Sequence, residues 1–247
     1  DIQPEASQHD GRIPAEATPY VKLFDAIWAF DDLLLEISPD LLTLASGAGA
    51  TLVGGVMPGY NRETPGGGMI DPRGTRRLRD SWEAQLQMGS PWVVMLTWND
   101  AVEHTDIKAS SDWNHTRQEV TKFYSDRHRG RSMPEDPALF VTSVSHVWPG
   151  QHIRAEALVL NRGREAVRMT IAFRNSRGLP YGELNVAEVG PGSAGDASLS
   201  IELVEPPPQP TFVRATCTLA DQSGRTLTTV TSAPILLYQH LDQVGRD

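Results

Sequence analysis

The hydrophobic period changes partway along this chain, and that change limits the fold more than any other feature. Before Arg131, apolar runs alternate with stretches whose apolar residues recur every three or four positions. After Pro137 the helical period disappears and short alternating stretches take over. Arg131 to Pro137, with Pro134 and Pro137, reads as a linker. The pattern predicts an α/β domain over residues 1–130, a linker at 131–137 and an all-β domain over 138–240.

In the first part, Tyr20 to Phe30 reads as a strand followed directly by Asp31 and Asp32. Ser38-Pro39 pairs an N-cap residue with proline at the first helical position, and Leu41 to Ala45 supply a short apolar stripe. Thr51 to Met57 reads as a second strand. Asp71 to Met88 carries Leu78, Trp82 and Leu86 at helical spacing, and Gly89 stops it. A third strand–helix pair follows, with its helix over Thr116 to Arg127. Three strand–helix repeats are the rhythm of a parallel sheet.

The third strand carries the chemistry. Pro91 to Leu96 is an apolar run, which predicts a strand buried on both faces, with Trp82 and Trp92 in the core. Trp98, Asn99, Asp100, Glu103, His104 and Asp106 follow within a few positions. An apolar strand ending in carboxylates and an aromatic matches the active-site end of a (β/α) barrel. Three units do not close an eight-stranded barrel, so the expected fold is a partial (β/α) barrel, its last three strand–helix units. The rest would come from a missing N-terminal part.

Beyond the linker, seven alternating stretches run from Leu139 to Tyr238. Pro149-Gly150, Arg162-Gly163, Arg177-Gly178, Pro191-Gly192, the proline run at 206–210 and Ser223-Gly224 separate them. That spacing predicts a seven-stranded immunoglobulin-like β-sandwich.

Residues 20–127 also carry a resemblance. Trp98-Asn99-Asp100-Ala101-Val102-Glu103-His104-Thr105, with Asp106-Ile107 after it, resembles the motif at the last barrel strand of two glycoside hydrolase families. These are the α-1,3-glucanases (mutanases) and the endo-α-mannosidases. Val56-Met57-Pro58-Gly59-Tyr60-Asn61 is similar to the end of their preceding strand. Ala101 and Val102 stand where an aromatic and a small or polar spacer are common, and His104 where glycine or serine is usual. The resemblance implies that Asp100 and Glu103 are the catalytic carboxylates of a hydrolase acting on an α-linked glucan or mannoside. The partner it implies is a glycan, with the sandwich as an accessory module.

The same pair suits the chemistry that the resemblance implies. Glycoside hydrolysis needs one carboxyl group held as acid and another ionised across the scissile bond. Three extended residues span at most ~10 Å, which admits both retaining and inverting separations. Trp98, Trp28, Tyr60 and Trp113 offer flat apolar faces for sugar stacking. Asn99, Asp31 and His104 are further candidates for contacting substrate hydroxyls. The alternative is a non-catalytic glycan-binding or cell-surface scaffold protein.

Other classes find little support. A net charge of −9 argues against nucleic acid as a partner. No apolar run approaches a membrane span. One cysteine, Cys217, precludes an intrachain disulfide and reads as an inert core thiol. Gly66-Gly67-Gly68 lacks the lysine of a phosphate loop, and His104, Asp106 and His115 lack metal-site spacing. No cofactor and no metal are expected. A polymeric glycan substrate points to an extracellular or periplasmic setting.

Overall fold

The computed structural model describes residues 18–28, 42–61, 68–110, 113–205, 207–209 and 211–239. The chain divides into two compact units, Asp1–Gly130 and Arg131–Asp247.

In the first unit, a short helix α1 (Thr18–Val21) precedes strand β1 (Ala26–Trp28). A helical segment α2 covers 42–48 and ends at Gly49, whose φ of 75° suits glycine. Strand β2 (Thr51–Val56) follows, then β3 (Tyr60–Asn61), which pairs antiparallel with β4 (Met69–Ile70). Helix α3 (Arg76–Met88), strand β5 (Trp92–Met95) and helix α4 (Thr116–His128) complete the unit. Gly89 caps α3 in the left-handed region. Helix α4 has Glu119 in its first turn and Arg127 and His128 in its last, which complements the helix dipole.

Strands β1, β2 and β5 form one parallel sheet with β2 in the centre. One face packs on α3. A Cβ added to Gly54 would stand 2.1 Å from Gln85 Oε1, so only glycine lets this helix approach the strand so closely. Gln85 is fully buried; its amide donates to Gly55 O at 3.1 Å and accepts from Ser90 Oγ at 3.1 Å. Helix α4 packs on α3 through the stacked rings of Trp82 and Tyr124, 6.2 Å apart.

Several expectations for this unit are overturned. No (β/α) barrel forms among the described residues, partial or closed. The parallel sheet is an open array of three strands of 3, 6 and 4 residues, and most of the described strands belong to the second unit, which is largely antiparallel. Nor is β5 buried on both faces. Trp28, Val53 and Trp92 share one cross-strand row, on the face opposite Gly54 and α3. On that face Trp92 is 72% exposed, so it is no core residue, whereas Trp82 is buried. The first strand starts only at Ala26, because α1 occupies the start of the stretch read as strand. The helix start at Ser38-Pro39 lies outside the described residues.

The second unit is all β, but it has nine strands among the described residues rather than seven. These are β6 (Ala138–Ser143), β7 (His146–Val147), β8 (His152–Asn161), β9 (Val167–Asn175), β10 (Asn185–Val189), β11 (Ser193–Glu202), β12 (Thr211–Ala220), β13 (Thr226–Thr231) and β14 (Ile235–Leu237). One sheet has the order β11-β8-β6. The other runs β10-β9-β12-β14-β7, with β14 and β13 sharing one edge of β12. The two additional strands, β7 and β14, are very short and pair parallel to each other, which no alternation pattern of that length reveals. Alternate residues of both sheets point inward. Ile153, Ala155, Ala157 and Val159 of β8 meet Met169, Ile171 and Phe173 of β9 and Val213, Ala215, Cys217 and Leu219 of β12 in one core.

Candidate active site

Because β2 and β5 are parallel neighbours, their carboxyl ends open at the same edge of the sheet. Loops leaving that edge are free of the ladder and available to carry functional side chains. Met57-Pro58-Gly59 leads from β2 to Tyr60. Leu96 N–H donates to Val56 O at 2.9 Å, the last bond before the chain leaves β5 through a cis Leu96–Thr97 peptide into a loop over 97–107.

The neck of that loop is closed by Thr97. Its N–H donates to Thr105 O and its carbonyl accepts from Ile107 N–H, both at 3.0 Å. The Thr97 and Thr105 hydroxyls lie 2.9 Å apart. Lys108 N–H donates to Trp98 O at 2.9 Å. The eleven-residue excursion is therefore hydrogen-bonded across its base.

Within the loop, Asp100 acts as a turn former. Its N–H donates to Thr97 Oγ1, and its Oδ1 accepts the N–H groups of Val102 and Glu103, all at 3.1 Å. An aspartate accepting backbone N–H groups two and three residues on is a local substitute for backbone pairing. Glu103 is half-buried and held from β3: its carbonyl accepts from Asn61 N–H at 2.9 Å, and its Oε1 accepts from Tyr60 Oη at 3.3 Å. His104 follows in the left-handed region at φ 54°. Trp98 is 57% exposed, and Asn99 is exposed beside it.

The far limb of the loop meets α4. Arg117 Nη1 donates to His104 O at 3.2 Å, to Asp106 O at 2.7 Å and to Asp106 Oδ1 at 3.4 Å. Both side chains of this ion pair are buried. The guanidinium lies 4.2 Å from the centre of the Trp113 ring.

The structure thus brings Tyr60, Trp98, Asn99, Asp100, Glu103 and His104 into or against one loop. It does not bring Trp28 there, since that ring stands on the open sheet face in the row of Val53 and Trp92. Asp31 lies outside the described residues. Tyr60 meets the site through its hydroxyl, a role that sugar stacking does not anticipate. Arg117 escaped sequence reading. Its signal was its spacing, three and seven positions before the buried Val120 and Tyr124, which puts a charge on the inward stripe of α4. Among the described residues no three His, Cys, Asp or Glu side chains gather as a metal-holding group, and no helix is long and apolar enough to cross a membrane.

No family model and no curated protein matches the chain. Among solved structures it is similar to a CARDB domain from Pyrococcus furiosus in complex with di-metal ions. The identity is 16% and the TM-score 0.30, over 40% of this chain and 87% of that one. It is also similar to the alkylpurine DNA glycosylase of Pseudomonas fluorescens bound to DNA containing an abasic site analog. There the identity is 12% and the TM-score 0.27, over 65% of this chain and 47% of that one. Likeness at this level carries no argument about fold or activity.

Proposed function

We propose that this chain is a glycoside hydrolase acting on an α-linked glycan, an α-glucan or α-mannoside, through Asp100 and Glu103. One observation carries the reading. Glu103, held by the Tyr60 hydroxyl, shares a loop with the exposed Trp98 at the carboxyl ends of adjacent parallel strands. A carboxyl group oriented by a neighbouring hydroxyl, on a loop that also carries an exposed aromatic, suits general acid–base work on a sugar. Asp100 has one oxygen engaged by the turn, and its Oδ2 takes no hydrogen bond among the described residues. That oxygen is the one for nucleophilic, basic or charge-stabilising work. Trp98 supplies a stacking face and Asn99 a donor–acceptor pair for sugar hydroxyls. A polymeric substrate places the activity in an extracellular or periplasmic setting.

The test is reducing-sugar release from α-glucans and α-mannans by the wild type and Glu103→Gln. The expected result is turnover by the wild type and a loss of at least about a hundredfold in the variant, the size of a general acid–base contribution. The melting temperature should be unchanged. Full turnover by Glu103→Gln overturns the proposal.

A second reading, non-catalytic glycan binding, is favoured by the turn-forming role of Asp100, which explains its presence without chemistry. Saturable glycan binding with no product from the wild type selects it.

A further inference from the structure

We propose that Arg117 is the positioning residue of the Glu103 loop, setting its geometry from the side opposite Tyr60; this rests on reading Glu103 as the working carboxylate. The residue is suspended between two anchors. On one side, Asn61 N–H and Tyr60 Oη bind its carbonyl and its carboxylate. On the other, Arg117 binds the carbonyl of His104, the next residue along, and both the carbonyl and carboxylate of Asp106. His104 at positive φ turns the chain between those anchors. Releasing Arg117 frees the limb that follows Glu103 while leaving the Tyr60 side in place.

The chemistry of arginine suits this task. The guanidinium sits over the Trp113 ring, and its Nη1 still reaches successive acceptors on His104 and Asp106. A lysine ammonium keeps the charge and loses the planar group. Burial raises the stakes, because without Arg117 the Asp106 carboxylate is left in a dry environment with its charge uncompensated.

The rest of the unit is held by other means. Helix α3 is bound to β2 through Gln85 and Gly55, and α4 to α3 through Trp82 and Tyr124. Loss of Arg117 should therefore loosen the loop and spare the sheet and helices.

Amide hydrogen exchange on the full chain tests this, comparing wild type, Arg117→Met and Arg117→Lys. In Arg117→Met, the Thr105 and Ile107 amides should exchange at least about tenfold faster, the size expected for loss of one charge-assisted contact. Amides of β2 and α3 should keep wild-type protection. Arg117→Lys should recover part of the loop protection. On an α-glycan substrate, kcat should fall at least about tenfold in Arg117→Met with little change in KM, the signature of misplaced chemistry. Unchanged loop exchange overturns the proposal. So does loosening of β2 and α3 in step with the loop, which makes Arg117 a support of the whole unit. If Arg117→Met does not fold, the same loop-against-sheet comparison in Arg117→Lys decides. If the wild type hydrolyses no glycan, the hydrolase reading fails, and the exchange data still settle whether Arg117 sets the loop.

Discussion

The Tyr60 hydroxyl donates to Glu103 Oε1 at 3.3 Å, joining residues 43 positions apart in the sequence. The bond exists because β2 and β5 are parallel neighbours whose exits meet. Tyr60→Phe keeps the ring and removes only the donor. Both partners are half-buried, so the stability cost should be about 1 kcal/mol or less. If the hydroxyl orients the working carboxylate, kcat/KM should fall by about tenfold, equivalent to 1.4 kcal/mol of lost transition-state stabilisation. If Tyr60 instead serves as a sugar-stacking face, Tyr60→Phe will be silent and Tyr60→Ala will not. Parallel kinetics of the two variants separate the roles.

Asp100 poses a sharper choice, since one of its oxygens already closes the turn. Asn keeps an oxygen acceptor for the Val102 and Glu103 N–H groups, whereas Ala removes it. Asp100→Asn should therefore keep the wild-type melting temperature, and Asp100→Ala should lose about 1–2 kcal/mol. For a catalytic Asp100, turnover must collapse in Asp100→Asn despite the intact turn. Wild-type turnover in that variant reduces Asp100 to a turn former.

How far the sequence revealed this arrangement depends on what each signal rests on. The helices α3 and α4 were legible because Leu78, Trp82, Val120 and Tyr124 fall at helical spacing, and Gly89 marks a stop. The site loop was legible as a cluster because its polar residues are contiguous. What failed was everything decided between distant residues. An apolar run such as Trp92-Val93-Val94-Met95 looks alike whether one face or two are covered; only its pairing with β2 puts Trp92 on the open face. Strand–helix alternation suits a small open sheet as well as a barrel, because local periodicity carries no information on strand number. The hydroxyl role of Tyr60 and the reach of Arg117 into the loop depend on the register of elements that sequence spacing leaves undetermined.

Gly54 tests the close approach of α3 to the sheet. Gln85 is fully buried and bonded at both ends of its amide, so it cannot swing aside to admit a methyl group. Gly54→Ala should destabilise the first unit by about 1–3 kcal/mol, the usual range for overpacking. Urea-dependent hydrogen exchange of α3 amides reads the effect, with β8 and β9 amides as the unaffected reference. A neutral substitution would show that α3 and β2 can part without loss.

Cys217 ties the stability of the second unit to alkaline pH. It lies fully buried in the middle of β12, among Val213, Ala215 and Leu219. Burial pushes its thiol up from 9.0 to about 11, partly offset by a backbone hydrogen bond from Thr170. The sign follows from proton binding. Between these two values the unfolded chain releases the thiol proton and the native chain keeps it, so rising pH favours unfolding. The contribution of Cys217 is fully present below pH 9 and is lost as pH rises towards 11, a change of order 2 kcal/mol. Other groups titrate in the same window, so the comparison must be differential. Cys217→Ala should be less stable at neutral pH, because it leaves a small cavity. Its stability should then decline less steeply than that of the wild type between pH 9 and 11. Chemical denaturation of both proteins at half-unit pH intervals gives the two slopes. Parallel slopes would mean that the thiol reaches solvent before the sandwich opens; the same experiment would then show rapid modification of Cys217 by a thiol reagent under native conditions, which a buried, protonated thiol resists.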